Sequence, residues 1–233
     1  MRRFWREVAV EQAGDGWRVT LDGRPIKTQG GTPQVVPNAA LAEALAREWR
    51  SQGDEIDPAR FPFRDLADHA LDNVADDRAG TIAKLLSFAE GDTLLYRAEP
   101  DEPLAHRQRE LWEPWLKAAE AAHGVRFERI SGIIHRPQPA ATLAALRAVL
   151  ESFDDLTLAA LATLASLSAS LVVALAALEP GADSEALWNV ANLEEDWQAE
   201  QWGKDAEAMD RRARRLAIFS AAVRFGGLVR DGI

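Results

Sequence analysis

The residues of this sequence best suited to chemistry lie in residues 193–207, an acidic, tryptophan-rich stretch near the C-terminus. If the stretch and the residues just before it form one helix, Trp188 and Trp202 fall on nearly the same side and Trp197 points roughly the opposite way. Apolar bulk then surrounds a segment that also carries many acids, so the helix cannot bury every side at low cost. Either Glu195 and Glu200 pair with arginines inside the protein, or part of this surface binds a partner.

Two carboxylates one helical turn apart could also serve a hydrolase. No second element of the sequence positions a substrate between them. The chain has no Gly-rich phosphate loop and no Gly-x-Ser-x-Gly elbow, so nucleotide binding and serine hydrolysis have no direct support. We therefore expect no catalytic residue. The hydrolase alternative would require a pocket lined by Glu195 or Glu200 with a raised pKa.

The closest approach to a metal motif is the pair Glu120 and His123, whose spacing places both on one helical face as in di-iron carboxylate bundles. Such a site needs a second copy of the motif and two further glutamates. His123 immediately precedes Gly124, so a cation at a helix C-terminus is the simpler interpretation. The chain also has no cysteine, which excludes thiolate ligands. We predict neither a metal nor a cofactor.

The charge balance excludes other classes of partner. With 27 basic against 37 acidic residues and a net charge of -10, the chain lacks the Lys and Arg excess that binds phosphate backbones. We expect no nucleic-acid binding. Residues 156–178 are uncharged over a length that could span a bilayer, but Ala, Ser and Thr fill more than half of them and acids flank them. We expect one central buried helix here and no membrane insertion.

The elements that position the acidic stretch begin with β-structure. Residues 4–10 are a strand candidate, and residues 17–21 alternate before Asp22-Gly23, a dipeptide that favours a type I′ hairpin turn. A third strand follows through Ile26. Together these segments predict a small antiparallel sheet at the start of the chain.

The rest of the sequence is mostly helical. Asn38 is the predicted N-cap of the first helix. Periodicity predicts further helices over residues 65–90, 103–123, 139–150, 156–178 and 184–229, the last broken near Gly203. Residues 125–130 alternate like a strand. We predict an α+β fold, with a small N-terminal antiparallel β domain over residues 1–60 followed by a larger, mainly α-helical domain over residues 61–233.

Several stretches together resemble the ATP12 family, the assembly chaperones of the F1 ATP synthase. They are residues 21–28 (LDGRPIKT), 45–49 (LAREW), 91–99 (GDTLLYRAE), Arg107-Gln108 with Trp112-Glu113-Pro114, and the acidic motif from Glu195 to Glu207. They occur in the family's order and span nearly the whole chain. Gln29 stands where the family often has proline, and Leu95 where members often carry cysteine. Neither departure touches the acidic motif.

The resemblance implies a chaperone that binds the newly made α subunit of F1 and shields it until the β subunit takes its place. It also gives functional weight to the acidic motif, whose predicted partner-binding residues are Glu195, Glu200, Trp202, Asp205 and Glu207. Mitochondrial members carry a transit peptide. None is visible at this N-terminus, which favours a bacterial, cytoplasmic version.

One further alternative is a structural subunit of a permanent assembly. Such a subunit would expose a broad apolar patch and would be unstable when purified alone. A chaperone instead needs moderate affinity, which a polar surface with a few aromatic anchors supplies. Because the apolar content suffices for a core, we expect a monomer that folds without a cofactor.

Overall fold

The computed structural model describes residues 1–132, 136–203 and 205–230. Its strands are β1 (Val8–Ala13), β2 (Gly16–Leu21), β3 (Arg24–Pro25), β4 (Tyr96–Arg97) and β5 (Ile130–Ser131). Its α-helices are α1 (Ala39–Arg50), α2 (Pro62–Asp68), α3 (Arg78–Glu90), α4 (Pro103–His123), α5 (Ala140–Glu151), α6 (Asp155–Ser168), α7 (Leu171–Ala176), α8 (Ser184–Ala191), α9 (Leu193–Trp202) and α10 (Ala206–Arg230). A 3-10 helix at Pro58–Arg60 and a π-helix at His69–Val74 flank α2.

The first three strands form an antiparallel sheet in the order β1-β2-β3. β2 and β3 meet at the pair Leu21↔Arg24, so only Asp22 and Gly23 lie between them. Both have positive φ, 49° and 74°, which is the type I′ conformation that the dipeptide predicts. The small antiparallel sheet followed by helices confirms the predicted α+β fold.

The predicted position of the first strand is wrong. Residues 4–10 were expected to be extended together, but β1 begins at Val8. Just before it, the backbone N–H groups of Arg6 and Glu7 donate to the Asp22 carboxylate, at 3.0 and 2.8 Å, instead of to a neighbouring strand. Alternation in a sequence predicts extended backbone but does not identify its partner.

Helix α1 begins at its predicted cap and also stabilises its neighbour. The Asn38 side chain accepts the Leu41 N–H at 2.8 Å. Near the other end, the Glu48 carboxylate accepts the N–H groups of Phe63 and Arg64 at 2.7 and 2.9 Å. These are donors of the first turn of α2, which has no side-chain cap of its own. Glu48 therefore fixes where α2 begins.

The chain forms two compact units. The first contains residues 1–78, 154–160 and the C-terminal residues from 224, and the second contains residues 79–153 and 161–223. The first unit holds the three-stranded sheet with α1 and α2. The second holds most of the helices, with α4 packed against α5, α7 and α9. A division into domains at residue 60 stays a prediction.

The prediction of one continuous helix over residues 156–178 is wrong. The segment contains α6 and α7, separated at Ala169, whose φ is +50°. Ser170 then caps α7 by accepting the Val173 N–H at 3.0 Å, and Ser168 bonds back to the carbonyl of Leu164 at 2.8 Å. These hydroxyls offer the backbone an alternative to helical bonding. The segment is nevertheless largely buried, and no helix in the described residues has the length and apolarity to cross a membrane.

Most of the strand predicted over residues 125–130 is absent. Only Ile130 continues into a strand, β5, which pairs in parallel with β4. Side chains take the backbone donors that a ladder would use: the Phe127 N–H donates to Glu120 and the Glu128 N–H to Gln138, both at 2.9 Å. The alternation reflects extended backbone without a neighbouring strand.

Two other long helices predicted from periodicity are interrupted. The segment 65–90 changes from α2 through the π-helix to α3, with a break at residues 75–77. The segment 184–229 is broken at Gly203 as predicted, where φ is 93°, and also at Asn192. The extra break separates α8 from α9, so Trp188 and Trp202 do not share one helix.

Asp92 joins two segments of the second unit. Its carboxylate is completely buried and accepts the Leu94 N–H and the Val172 N–H, each at 3.0 Å. Burial raises the pKa of this carboxyl from 3.8 to about 6, against the opposing effect of the hydrogen bonds. The folded state therefore holds this proton more tightly than the unfolded chain does.

This shift predicts a pH dependence of stability. The free energy of unfolding of the wild type, relative to Asp92→Asn, should fall as the pH rises from 3.8 to about 6 and then stay constant. Urea unfolding at a series of pH values measures both proteins. Asp101→Asn, which changes an exposed residue, should keep the wild-type dependence. Parallel pH profiles for the wild type and Asp92→Asn would contradict the assignment.

Candidate partner-binding site

Helix α9 carries the acidic motif and lies mostly at the surface. Its first turn contains Glu194, Glu195 and Asp196, which interact favourably with the partial positive charge of a helix N-terminus. Leu193 is its buried residue. A helix with so little apolar burial of its own needs other contacts to stay in place.

One of these contacts joins Glu200 to Arg107 of α4. Arg107 Nη1 lies 2.5 Å from Glu200 Oε2, and Nη2 lies 2.9 Å from Oε1. This two-point geometry fixes both side chains. The hydrogen bond that Arg107 donates to Glu200 raises the pKa of Arg107, and the guanidinium also lies 5.6 Å from the centre of the Trp197 ring.

Both partners of this pair remain partly open to water, with side-chain exposures of 35% and 48%. Of the two alternatives posed by the sequence, the structure shows an arginine partner for Glu200, and binding of a client stays a prediction. Glu200 pairs with this arginine at the surface, where such pairs contribute little to stability.

Two further residues of α4 hold the segment that leads into α9. Gln108 is buried and donates to Glu194 at 2.7 Å, and partial burial raises the pKa of this glutamate. The buried Trp112 donates its indole N–H to the carbonyl of Val190 at 2.8 Å. Arg107 thus contacts the acidic motif itself, at Glu200 and Trp197, while Gln108 and Trp112 bond residues that precede the motif.

The turn after α9 presents a tryptophan to solvent. Trp202 is 81% exposed, whereas Trp188 is 1% exposed, which corrects the expectation that they lie on the same side. Gly203 adopts a φ of 93°, a value that favours glycine. Asp205 then accepts the Ala208 N–H at 3.1 Å and caps α10. Met209, in the first turn of α10, is 52% exposed.

The five predicted partner-binding residues all lie at the surface of α9 or at the start of α10. We call them the acidic-tryptophan surface: Glu195, Glu200, Trp202, Asp205 and Glu207. Glu207 lies 3.9 Å from Arg211 in a well-exposed pair. Glu195 is exposed and has no ion-pair partner within the described part of the chain. All five side chains are exposed to solvent within the segment 195–207, and their role in binding stays a prediction.

Glu120 and His123 do not form a metal site. Glu120 accepts hydrogen bonds from Arg129 and from the Phe127 N–H, and the Arg129 guanidinium also contacts Glu113 at 2.8 Å. These contacts lower the pKa of Glu120, despite its burial. Across the described ranges, with their gaps at 133–135, 204 and 231–233, no three His, Asp or Glu side chains could hold a metal ion.

Sequence reasoning missed the role of Arg107. It belongs to a family-like motif, but nothing in its spacing identifies a partner 93 residues away. The cap formed by Asp205 could have been found, because an acid just after the predicted break at Gly203 is a helix-start signal.

The described features are those of a protein that binds another protein: an α+β fold with an acidic helix at the surface and an exposed tryptophan beside it. Comparison with known proteins identifies the family. Residues 2–120 match the family model described as ATP12 chaperone protein.

Whole-chain relatives agree with this match. Protein atp12, mitochondrial, of Schizosaccharomyces pombe is 28% identical over 95% of this chain and 81% of its own. The crystal structure of Atp12 from Paracoccus denitrificans is 36% identical over 98% of both chains, with a TM-score of 0.92. A structure from Agrobacterium tumefaciens is 38% identical over 97% of this chain and 85% of its own, also with a TM-score of 0.92.

The chain belongs to the ATP12 family. It is therefore a chaperone of ATP synthase assembly and not an enzyme.

Because the pair of Arg107 and Glu200 is exposed, we expect its disruption to change the free energy of unfolding only slightly. Glu200→Lys places two cations together and should lower the free energy of unfolding by about 1 kcal/mol or less. The double variant with Arg107→Glu and Glu200→Arg should recover part of this loss, because the pair re-forms with its charges exchanged. Thermal and urea unfolding measure all three proteins, with Glu90→Lys, at an exposed position of α3, as control. A loss of about 3–5 kcal/mol in Glu200→Lys would instead show a buried pair.

Proposed function

We propose that this chaperone binds the unassembled α subunit of F1 through the acidic-tryptophan surface and shields the face of α that later contacts β. The observation that carries the proposal is the 81% exposure of Trp202 among carboxylates. A large aromatic side chain left in water is unfavourable for an isolated protein, and tryptophan is enriched among the residues that dominate binding energy.

The charges around Trp202 favour a basic patch on the client. Glu195 and Glu207 are exposed, and Glu200 is only partly covered by Arg107. Exposed carboxylates at the rim of an interface accelerate encounter with a basic partner and add little to final affinity. A single aromatic anchor with a charged rim therefore gives fast, moderate binding.

Moderate affinity suits a temporary complex. An α subunit without β exposes the surface meant for β, and a chaperone that covers this surface suppresses aggregation by mass action alone. Release then requires only that β compete for the same face. A permanent structural subunit would instead bury a broad, mainly apolar interface.

The test compares two exposed aromatic residues. Trp202→Ala should weaken binding of purified F1 α subunit by about tenfold or more, because it removes the anchor. Phe4→Ala is the matched control, since Phe4 is also exposed, at 70%, but lies in the first unit. Co-purification and titration calorimetry measure binding, and melting temperatures verify folding.

A second test compares two charge-reversal variants. Glu195→Lys should slow association with the α subunit, and Glu90→Lys should leave it unchanged. If Trp202→Ala and Glu195→Lys fold normally and bind the α subunit as the wild type does, the acidic-tryptophan surface is not the binding site. If the wild type does not capture the α subunit at all, the client is another protein.

The chain is further proposed to act as a monomer in the cytoplasm. The whole chain carries a net charge of -10, which favours separate molecules by repulsion. Native mass spectrometry at low micromolar concentration should give a single species of 25.6 kDa. A stable dimer would contradict this expectation.

A further inference from the structure

An open groove lies in the first unit. Most of the residues that line it are distant in sequence from the acidic-tryptophan surface. It is formed by α1, the start of α2 and the last turns of α10, and has a volume of about 560 Å³. Its lining includes Ala44, Glu48, Phe63, Gly227 and Leu228. A volume of this size, lined by apolar groups with a few polar ones, is typical of a binding site.

The apolar floor of the groove is rigid. The Phe63 ring packs edge-on against the buried ring of Phe225, with centroids 5.8 Å apart. The backbone of Phe63 is fixed at the same time, since its N–H donates to Glu48 at 2.7 Å. The floor is therefore formed before any ligand arrives, which lowers the entropic cost of binding.

Gly227 keeps the wall of the groove open. It lies inside α10, where glycine lowers helix stability relative to alanine. No atom lies within 4 Å of the position that a Cβ would occupy, so packing does not require a glycine here. The missing side chain leaves room for another chain to approach the helix backbone closely.

Two cations line the groove in a protein that is acidic overall. Arg47 is well exposed, and its Nε lies 3.7 Å from a carboxylate oxygen of Glu43 that Arg50 contacts at 2.5 Å. Arg224 lies over the Phe63 ring, 5.5 Å from its centre. Within the residues that the structure describes, no carboxylate is within ion-pairing distance of Arg224. Arg224 is therefore available to an anion, and Arg47 shares its one carboxylate partner with Arg50.

Glu48 is the carboxylate among the lining residues that the structure describes, and its oxygens already have partners. Both oxygens of Glu48 accept backbone N–H groups, from Phe63 and Arg64. Burial also raises the pKa of Glu48 to about 7, so it carries less than a full negative charge at neutral pH. Among the described lining residues, two arginines therefore face one partly neutralised carboxylate.

We propose that this groove binds an extended segment of a client protein in which an apolar side chain is followed by a carboxylate. The apolar side chain fills the space between Phe63 and Leu228, beside Gly227. The carboxylate pairs with Arg224 and Arg47. The inference rests on the proposed function only in taking the occupant to be a client, and its chemistry follows from the groove itself.

The test uses short fluorescein-labelled peptides that differ at one position, with Leu-Asp, Leu-Asn or Leu-Lys at the centre of a Gly-Ser sequence. Fluorescence anisotropy with the full chain should show tightest binding for Leu-Asp. Gly227→Leu, which fills the groove, should weaken this binding by about tenfold or more. Ser166→Leu is the control, because it adds the same side chain at an exposed position of α6. Both substitutions keep a helix, and melting temperatures verify folding.

A charge exchange tests the role of the cation. Arg224→Glu should reverse the preference, so that the Leu-Lys peptide binds more tightly than Leu-Asp, while Arg224→Lys should keep the wild-type order. The inference is overturned if the wild type binds all three peptides equally or none of them, or if Gly227→Leu binds Leu-Asp unchanged. It is also overturned if the wild type self-associates in sedimentation and Gly227→Leu does not, since the occupant is then a second copy.

The two proposals fail separately. Peptide binding in the groove without capture of the α subunit would defeat the proposed function and leave the groove assigned. Capture of the α subunit through Trp202 without peptide binding would support the proposed function and overturn the assignment of the groove.

Discussion

Three side chains on one face of α4 determine where the acidic-tryptophan surface lies. Arg107, Gln108 and Trp112 each bond a different point of the α8–α9 segment. Gln108 and Trp112 are buried, so losing their partners would leave polar groups unpaired away from water, which costs more than a surface contact contributes. Helix α9 has little apolar burial of its own. Its position, and with it that of Trp202, therefore depends on α4.

The predictions that held concern local chemistry. Asp22-Gly23 gives a type I′ turn because both positions require positive φ, and Asn38 begins α1 because its side chain caps the nearest free N–H. Helix α4 has its predicted bounds, from Pro103 to His123, with Gly124 in the left-handed region after it. In each case the determining atoms lie within a few residues of each other.

The predictions that failed depend on partners distant in sequence. The alternation at residues 125–130 is real, but Glu120 and Gln138 bond its backbone instead of a strand. Composition and family resemblance located the acidic motif, yet neither could show that Glu200 meets Arg107, 93 residues away. Spacing describes one helix, whereas ion pairs between helices depend on how the helices pack. The break at Asn192, which places Trp188 and Trp202 on different helices, is likewise signalled by no periodicity.

The two-point pairing of Arg107 with Glu200 also affects the entropy of association. A long, exposed glutamate normally samples many rotamers and loses that freedom when a partner arrives. Here the guanidinium fork has already restricted Glu200, at a site still open to water. Part of the rotamer entropy of Glu200 has thus been lost during folding, and less remains to be lost on association with a partner. In the proposed complex a small contact area then suffices, and a competitor needs to displace only a few contacts to free the client.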